Sequence, residues 1–144
     1  MTESRKILYV IGSLEIGGAE RHLVQVATGL KQAGYAPEVF VLSPGGPLSE
    51  PLRAAGIPIH GCTPPDWLTT VLKHPRAQAW TMLLLSSIKL FLVLWRRAPH
   101  VVHFFLPAAY VVGGVVSLFR PVQARIMSRR SMNHYPAKHP LFAR

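Results

Sequence analysis

The feature that most constrains the fold is the beginning of the chain, where a strand pattern passes through a glycine-rich turn into a helix pattern. Residues 6–11 (KILYVI) form a short apolar run rich in β-branched side chains, which is typical of a buried parallel strand. After the turn, one helix face is predicted by the spacing of Leu23, Val26, Ala27 and Leu30. Gly34 suits a left-handed cap at the end of that helix.

The same alternation continues along the chain with short connections. The sequence predicts further strands at 38–43, 57–60, 101–105 and 124–128, and further helices at 48–55, 75–97 and 107–118. Pro99 is expected to end the long helix, and the Gly113–Gly114 pair allows close packing of the last helix on a sheet. Alternating strands and helices predict an α/β fold with a Rossmann-like, doubly wound parallel sheet. Because the sequence stops soon after a strand, we expect this sheet to be incomplete.

The chain is strongly basic, with 16 Lys and Arg against 6 Asp and Glu and a formal net charge of +10. This excess favours an anionic partner, but a domain separated from an acidic half would show the same excess, and both interpretations stand. Cys62 is the single cysteine, which excludes an internal disulfide and argues against a cysteine-based metal site. The start of the chain has no secretion-signal pattern, so we expect a reducing, cytoplasmic location.

The turn after the first strand is the expected ligand site, because ligands of doubly wound sheets bind beyond the carboxyl ends of the strands. Glycines let the backbone approach a ligand, and the amides at a helix N-terminus favour an anion. Gly12 and Gly17 have the spacing that begins a P-loop, but Gly18 stands where a P-loop has lysine. Leu14 replaces the second glycine of a dinucleotide-binding motif. The turn therefore predicts either another kind of anion site or a tight turn that binds nothing.

Several segments, taken in order, resemble one protein family. Residues 17–21 (GGAER) open the first helix and resemble a signature of family-four glycosyltransferases. Residues 99–103 (PHVVH) resemble the PDVVH strand of that family, with His100 in place of the usual aspartate. Residues 106–109 (LPAA), the glycine pair and residues 125–131 (RIMSRRS) also fit. The resemblance extends from about Lys6 to Tyr135.

The resemblance implies a GT-B fold, in which two Rossmann-like domains face each other across a cleft. Residues 1–144 would form the N-terminal, acceptor-side domain, and the C-terminal domain that holds the nucleotide sugar would be absent. The complete enzyme would transfer a hexose to a glycan or lipid-linked acceptor with retention of configuration, without a metal or other cofactor. Such enzymes often build cell-envelope polysaccharides and glycolipids at the inner face of the cytoplasmic membrane. We therefore expect the isolated chain to be inactive.

The resemblance also suggests roles for individual residues. Gly17 and Gly18 match the loop that approaches the donor diphosphate, where their amides would stabilise the departing charge. His103 matches a histidine at the end of the family's fourth strand, near the reacting sugar, and is the candidate catalytic residue. The alternative for His103 is a strand-end histidine that bonds a backbone carbonyl. Glu20 is interpreted as a solvated residue of the first helical turn, which the helix dipole favours.

Three further residues are candidates for binding an acceptor or a phosphate. Arg129 and Arg130 follow the fifth strand, where one of them would bind an anion through paired hydrogen bonds unless both are ordinary surface charges. Ser13 lies in the glycine-rich turn. The remaining histidines have no metal-like grouping, and we predict no metal site.

Residues 79–95 (AWTMLLLSSIKLFLVLW) are the most hydrophobic stretch and carry one charge, Lys89. Three interpretations follow: a helix packed on the sheet, an interfacial helix with Trp80 and Trp95 at its ends, and a membrane-spanning helix. Spanning ranks last, because a span needs about 20 apolar residues and a central lysine opposes insertion. The first two interpretations are compatible with each other.

Two functions from different classes therefore stand. The first is the acceptor half of a hexosyltransferase, whose partners are a nucleotide sugar, an acceptor and an anionic membrane surface. The alternative is a catalytically silent domain that binds an anionic acceptor or a membrane. Nucleic-acid binding ranks below both, since the sequence contains no nucleic-acid motif and its arginines are mostly scattered.

Overall fold

The chain folds around a sheet of five parallel strands in the order β3-β2-β1-β4-β5. A computed structural model describes residues 4–43, 45–63, 74–105 and 107–128. The strands are β1 (Lys6–Ile11), β2 (Ala36–Val41), β3 (Ile59–Gly61), β4 (Val101–Phe105) and β5 (Ala124–Ser128). The helices between them are α1 (Gly18–Gln32), α2 (Ser49–Ala54), α3 (Pro75–Arg97) and α4 (Pro107–Leu118). This architecture confirms the predicted Rossmann-like α/β fold.

Each face of the sheet carries its own hydrophobic core. Tyr9 and Phe105 point to the side covered by α1 and α2, where they pack with Leu23 and Leu52. The alternate residues of the same strands, including Phe104, point to the side covered by α3 and α4. Because successive side chains of a strand alternate between faces, the continuous apolar run of a central strand fills both cores.

The predicted elements agree with the observed ones most closely in the second half of the chain. The long helix, β4, α4 and β5 begin and end at the predicted residues. In the first half, the predicted strand at 38–43 is displaced by two residues, because β2 already begins at Ala36, whose N–H donates to the Arg5 carbonyl at 3.1 Å. The predicted strand at 57–60 begins only at Ile59, since its pairing with β2 starts at Val39.

Two of the predicted helix ends are explained by local backbone geometry. Gly34 has a φ of 86°, and α1 ends in a Schellman motif. The N–H of Gly34 donates to the Lys31 carbonyl and the N–H of Tyr35 donates to the Leu30 carbonyl, both at 3.0 Å. At the end of α3, Ala98 adopts a left-handed conformation immediately before Pro99, which confirms that the proline stops the helix.

The two adjacent glycines of α4 have different environments. A Cβ on Gly113 would overlap the ring of Phe104, which is fully buried in the core beneath α4. A Cβ on Gly114 would meet no atom within 4 Å. The prediction of close packing on the sheet is therefore confirmed for Gly113 and does not apply to Gly114.

This difference predicts opposite effects of two neighbouring substitutions. Gly113→Ala should lower the free energy of unfolding by about 1–3 kcal/mol, because the buried ring cannot yield without strain. Gly114→Ala should raise it by up to about 1 kcal/mol, because alanine favours the helix and meets no neighbour. Urea unfolding of the two variants measures both effects, and equal effects would contradict the packing described here.

Candidate functional site

The candidate site lies between β1 and β4, where the direction in which the chain adds strands to the sheet reverses. Helix α1 leaves the carboxyl end of β1 towards one face of the sheet, and α4 leaves the carboxyl end of β4 towards the other. Because α1 and α4 lie on opposite faces of the sheet, the carboxyl ends of β1 and β4 border a crevice at its edge. Such a switch point is the general ligand position in doubly wound sheets.

The glycine-rich turn of residues 12–17 is held in place by the loop that follows β2. The N–H of Ser43 donates to the Gly12 carbonyl at 2.8 Å, and the N–H of Leu48 donates to the Leu14 carbonyl at 3.1 Å. Gly46 has a φ of 103°, and a Cβ there would overlap the backbone of Leu14. Leu14 itself is buried. The turn is thus a fixed part of the crevice.

The two glycines at the start of α1 serve different purposes. Gly17 is the N-cap residue in an extended conformation, and a Cβ on it would overlap the carboxylate of Glu20. Glu20 is buried, which corrects the interpretation that it is solvated. It folds back over Gly17 because a carboxylate at the third helical position is attracted by the helix N-terminus. Gly18, by contrast, is exposed and has no atom within 4 Å of a Cβ position, so a ligand could approach the start of the helix there.

Ser13 lines a pocket of about 490 Å³ on the α3 side of the crevice. Gly12, Ser43 and Ser86 supply its polar wall, and the apolar wall consists of Leu42, Ala79, Met82 and Leu83. The pocket therefore combines hydroxyl groups with the first half of α3. This composition suits a ligand that carries both polar and apolar parts.

His103 lies on the opposite face of the sheet from this pocket. It pairs with Tyr9 of β1 and is half-buried, two residues before the end of β4. The predicted bounds of this strand are confirmed and put His103 at its third residue, so the strand-end description taken from the family does not fit it, and its catalytic role stays a prediction. The imidazole nevertheless leans towards the carboxyl edge, because its Nε2 lies 2.6 Å from the Oγ of Ser128, the last residue of β5. Its ring centroid lies 4.4 Å from that of Phe105 and 5.5 Å from that of Tyr9.

The surroundings of His103 favour its neutral form. Burial, and secondly the Coulombic effect of His22, lower the pKa of His103 from its ordinary value of 6.5. Burial also raises the pKa of Tyr9 to about 12, so the adjacent phenol keeps its proton. A neutral imidazole beside a hydroxyl both donates and accepts a hydrogen bond, which suits the orientation of a sugar hydroxyl.

Sequence reasoning missed Ser128 and His22 as neighbours of His103. Ser128 was detectable in principle, since it ends the strand next to β4 and parallel pairing brings it to the same edge. His22 gives no such signal, because its approach to Phe105, at 6.2 Å between ring centroids, depends on how α1 packs. Arg129 and Arg130 lie outside the described residues, and their predicted role stays a prediction.

Within the described part of the chain, no group of three or more His, Cys, Asp or Glu residues is placed to hold a metal ion. The expectation that the activity needs no metal stays a prediction. The N-terminus of α1 is the part of the crevice that suits an anion, because the first backbone N–H groups of a helix have no partner within it.

Comparisons with known proteins agree with this geometry. Residues 16–139 match the model of the family described as Glycosyltransferase Family 4. No curated protein sequence matches the chain. The family match includes the start of α1, β4 and β5, whereas Gly12 and Ser13 of the turn lie before it.

Solved structures show the same fold at low sequence identity. A glycosyltransferase from Rickettsia africae ESF-5 is 18% identical, with a TM-score of 0.63 over 94% of this chain and 33% of that one. MurG from Acinetobacter baumannii is 15% identical, with a TM-score of 0.64 over 93% of this chain and 38% of that one. A UDP-N-acetylglucosamine 2-epimerase is 14% identical, with a TM-score of 0.55 over 96% of this chain and 38% of that one. The chain thus spans little more than a third of the length of these structures.

The lowered pKa of His103 predicts a pH-dependent stability. Below pH 6.5 the unfolded chain protonates this histidine before the folded chain does, so stability should fall as the pH decreases from 6.5 through the lowered pKa. His103→Gln should flatten the decrease in unfolding free energy between about pH 7 and about pH 5. Urea unfolding at several pH values measures this slope. His74→Gln, at an exposed histidine, is the matched control, and an unchanged slope in His103→Gln would refute the assignment.

Proposed function

Because the chain belongs to glycosyltransferase family 4, we propose that it forms the acceptor-side domain of a retaining hexosyltransferase. The enzyme transfers a hexose from a nucleotide sugar to a glycan or lipid-linked acceptor in the synthesis of cell-envelope polysaccharide or glycolipid, in the cytoplasm or at the inner face of the membrane. The donor sugar nucleotide binds mainly to a second domain. The fold alone would also suit the epimerase mentioned above, and the family match is what favours transfer.

Beside the family match, the structural observation that supports this proposal is the exposed Gly18 at the N-terminus of α1, directly at the switch point. In glycosyl transfer, negative charge develops on the departing diphosphate. Backbone amides and the positive end of a helix dipole stabilise such charge without a metal ion, and they need no reorganisation during the reaction. Metal independence is therefore part of the proposal.

The acceptor is assigned to the other part of the crevice. The pocket beside Ser13 offers hydroxyl groups to sugar hydroxyls and an apolar wall of Leu42 and Met82 to an aglycone or lipid segment. His103, on the α1 side, lies beside the start of the same helix whose N-terminus faces the diphosphate. We assign His103 the orientation of the reacting sugar by hydrogen bonding through its neutral imidazole.

Transfer assays on a matched pair of glycine variants test the proposal. Both Gly18 and Gly29 belong to α1, and a Cβ on either would meet no atom of the protein within 4 Å. Gly18→Ala places a methyl group where the diphosphate must approach and should lower transfer by about 10²-fold, because the excluded phosphate loses the stabilisation that an anion-binding donor gives. Gly29→Ala should leave transfer unchanged, and both variants should remain folded.

The assay measures radiolabelled hexose moved from UDP-, GDP- and ADP-sugars to extracted glycolipids and glycans, by the protein carrying this chain together with its donor domain. EDTA should not reduce transfer. Equal activity of Gly18→Ala and Gly29→Ala would reject the anion role of the turn. Failure of every donor, with acceptor or membrane binding intact, would instead support the catalytically silent alternative.

A further inference from the structure

Helix α3 has apolar side chains on two opposite sides. Its inner side packs on the sheet, where Leu90 and Leu94 are completely buried. At 100° per residue, Leu84, Ile88 and Trp95 lie on the side opposite Leu90, and all three are exposed. A helix on the surface of a water-soluble domain normally presents polar residues there. The outer side of α3 therefore exposes apolar residues to water where a soluble domain would carry polar ones.

The exposed apolar surface continues from α3 to its neighbour α4. These two helices pack against each other, and Phe119 just beyond α4 is 68% exposed. The Arg120 guanidinium lies 5.1 Å from the centroid of the Trp95 ring, which joins the ends of the two helices through a cation–π contact. We call this surface the α3–α4 face and define it by Trp80, Leu84, Ile88, Leu92, Trp95 and Phe119.

Positive charge borders this face. Lys89 and Arg96 flank the exposed side of α3 and line a groove of about 730 Å³ between α3 and the β3 edge. Neither forms an ion pair within the described residues, whereas Arg97 in the same groove pairs with Glu38 at 3.3 Å. The sequence of α3 contains no acidic residue. An apolar surface with unpaired cations at its border is complementary to an anionic lipid interface.

Two buried leucines and one lysine of α3 favour lying on a membrane over crossing it. By length and composition, Arg76–Arg97 is the one helix of the described chain that could span a bilayer. Spanning, however, would remove Leu90 and Leu94 from the core and expose Leu8, Phe40 and Phe104 beneath them. It would also place Lys89 inside the hydrocarbon. An orientation parallel to the membrane plane keeps the core and leaves Lys89 at the headgroups.

We propose that the α3–α4 face docks on the surface of an anionic bilayer, with α3 parallel to the membrane plane. Ile88 and Leu92 enter the acyl boundary, and Trp80 and Trp95, 71% and 56% exposed, lie at the headgroup level at the two ends of the helix. Lys89 and Arg96 contact lipid phosphates. The docking does not depend on transferase activity.

Cosedimentation of the 144-residue chain with lipid vesicles tests this proposal. Binding to vesicles that contain phosphatidylglycerol should exceed binding to phosphatidylcholine alone and should weaken with salt. The double variant Ile88→Ser/Leu92→Ser should reduce the partition coefficient about tenfold or more, since both side chains leave the acyl boundary. Lys89→Gln/Arg96→Gln should reduce it by a similar factor on anionic vesicles only.

Matched controls distinguish docking through this face from nonspecific hydrophobic and electrostatic binding. Ile16→Ser removes an exposed apolar side chain away from α3, and Arg5→Gln/Arg21→Gln removes two exposed charges elsewhere. These variants should bind like the parent chain, and circular dichroism should show that all variants are folded. Equal binding of the α3 variants and their controls would overturn the proposal.

Two other outcomes would also overturn it. Resistance of the membrane-bound chain to alkaline extraction would show that α3 spans the bilayer. A dimer that Ile88→Ser/Leu92→Ser converts to a monomer, without vesicle binding by either form, would show that a second copy covers the face. Neither result bears on hexose transfer, which is measured separately with soluble donors and acceptors.

Discussion

The arrangement depends on the central position of β1, which is hydrogen-bonded to β2 on one side and to β4 on the other. A buried strand satisfies its backbone groups only when both neighbours are present. From β1 the chain moves first towards β3 and then, after α3, in the opposite direction towards β5. Right-handed crossovers consequently put α1 and α2 on one face and α3 and α4 on the other. The crevice beyond β1 and β4 is thus a result of topology.

The sequence predicted the elements far better than the surroundings of the site residues. The hydrophobic periodicity and Pro99 were sufficient to predict the bounds of α3, because both depend only on the helix and the residues next to its end. The environment of Glu20 could not be predicted, because its burial depends on how its side chain folds back over Gly17. Gly113 and Gly114 could not be distinguished from the sequence, because they differ only in whether Phe104 lies beneath them. The predicted strands were enough to put Ser128 at the same sheet edge as β4, but its contact with His103 also requires the register of β4 and β5.

The site divides its chemistry between side chains and backbone. Burial lowers the pKa of His103 and raises that of Tyr9, and both shifts favour the neutral form of the side chain. The neutral side chains can orient hydroxyl groups but cannot neutralise a diphosphate. Stabilisation of negative charge then belongs to the N-terminus of α1, where the backbone at Gly18 is open. This division suits the proposed transfer reaction, in which the hydroxyl groups of the sugars and the charged leaving group occupy different parts of one crevice.

Helix α3 connects the two proposals, because it has a separate role on each side. Ala79, Met82 and Leu83 line the pocket beside Ser13, while Leu84 and Ile88 on the outer side form part of the α3–α4 face. Removing a lipid anchor from a bilayer costs about 0.8 kcal/mol for each methylene group that leaves the hydrocarbon. In the proposed enzyme, a pocket beside the docked helix would reach the sugar end of a lipid-linked acceptor at the interface, so the anchor could stay in the membrane. On both proposals together, the exposed apolar residues of α3 would bring the pocket to such an acceptor.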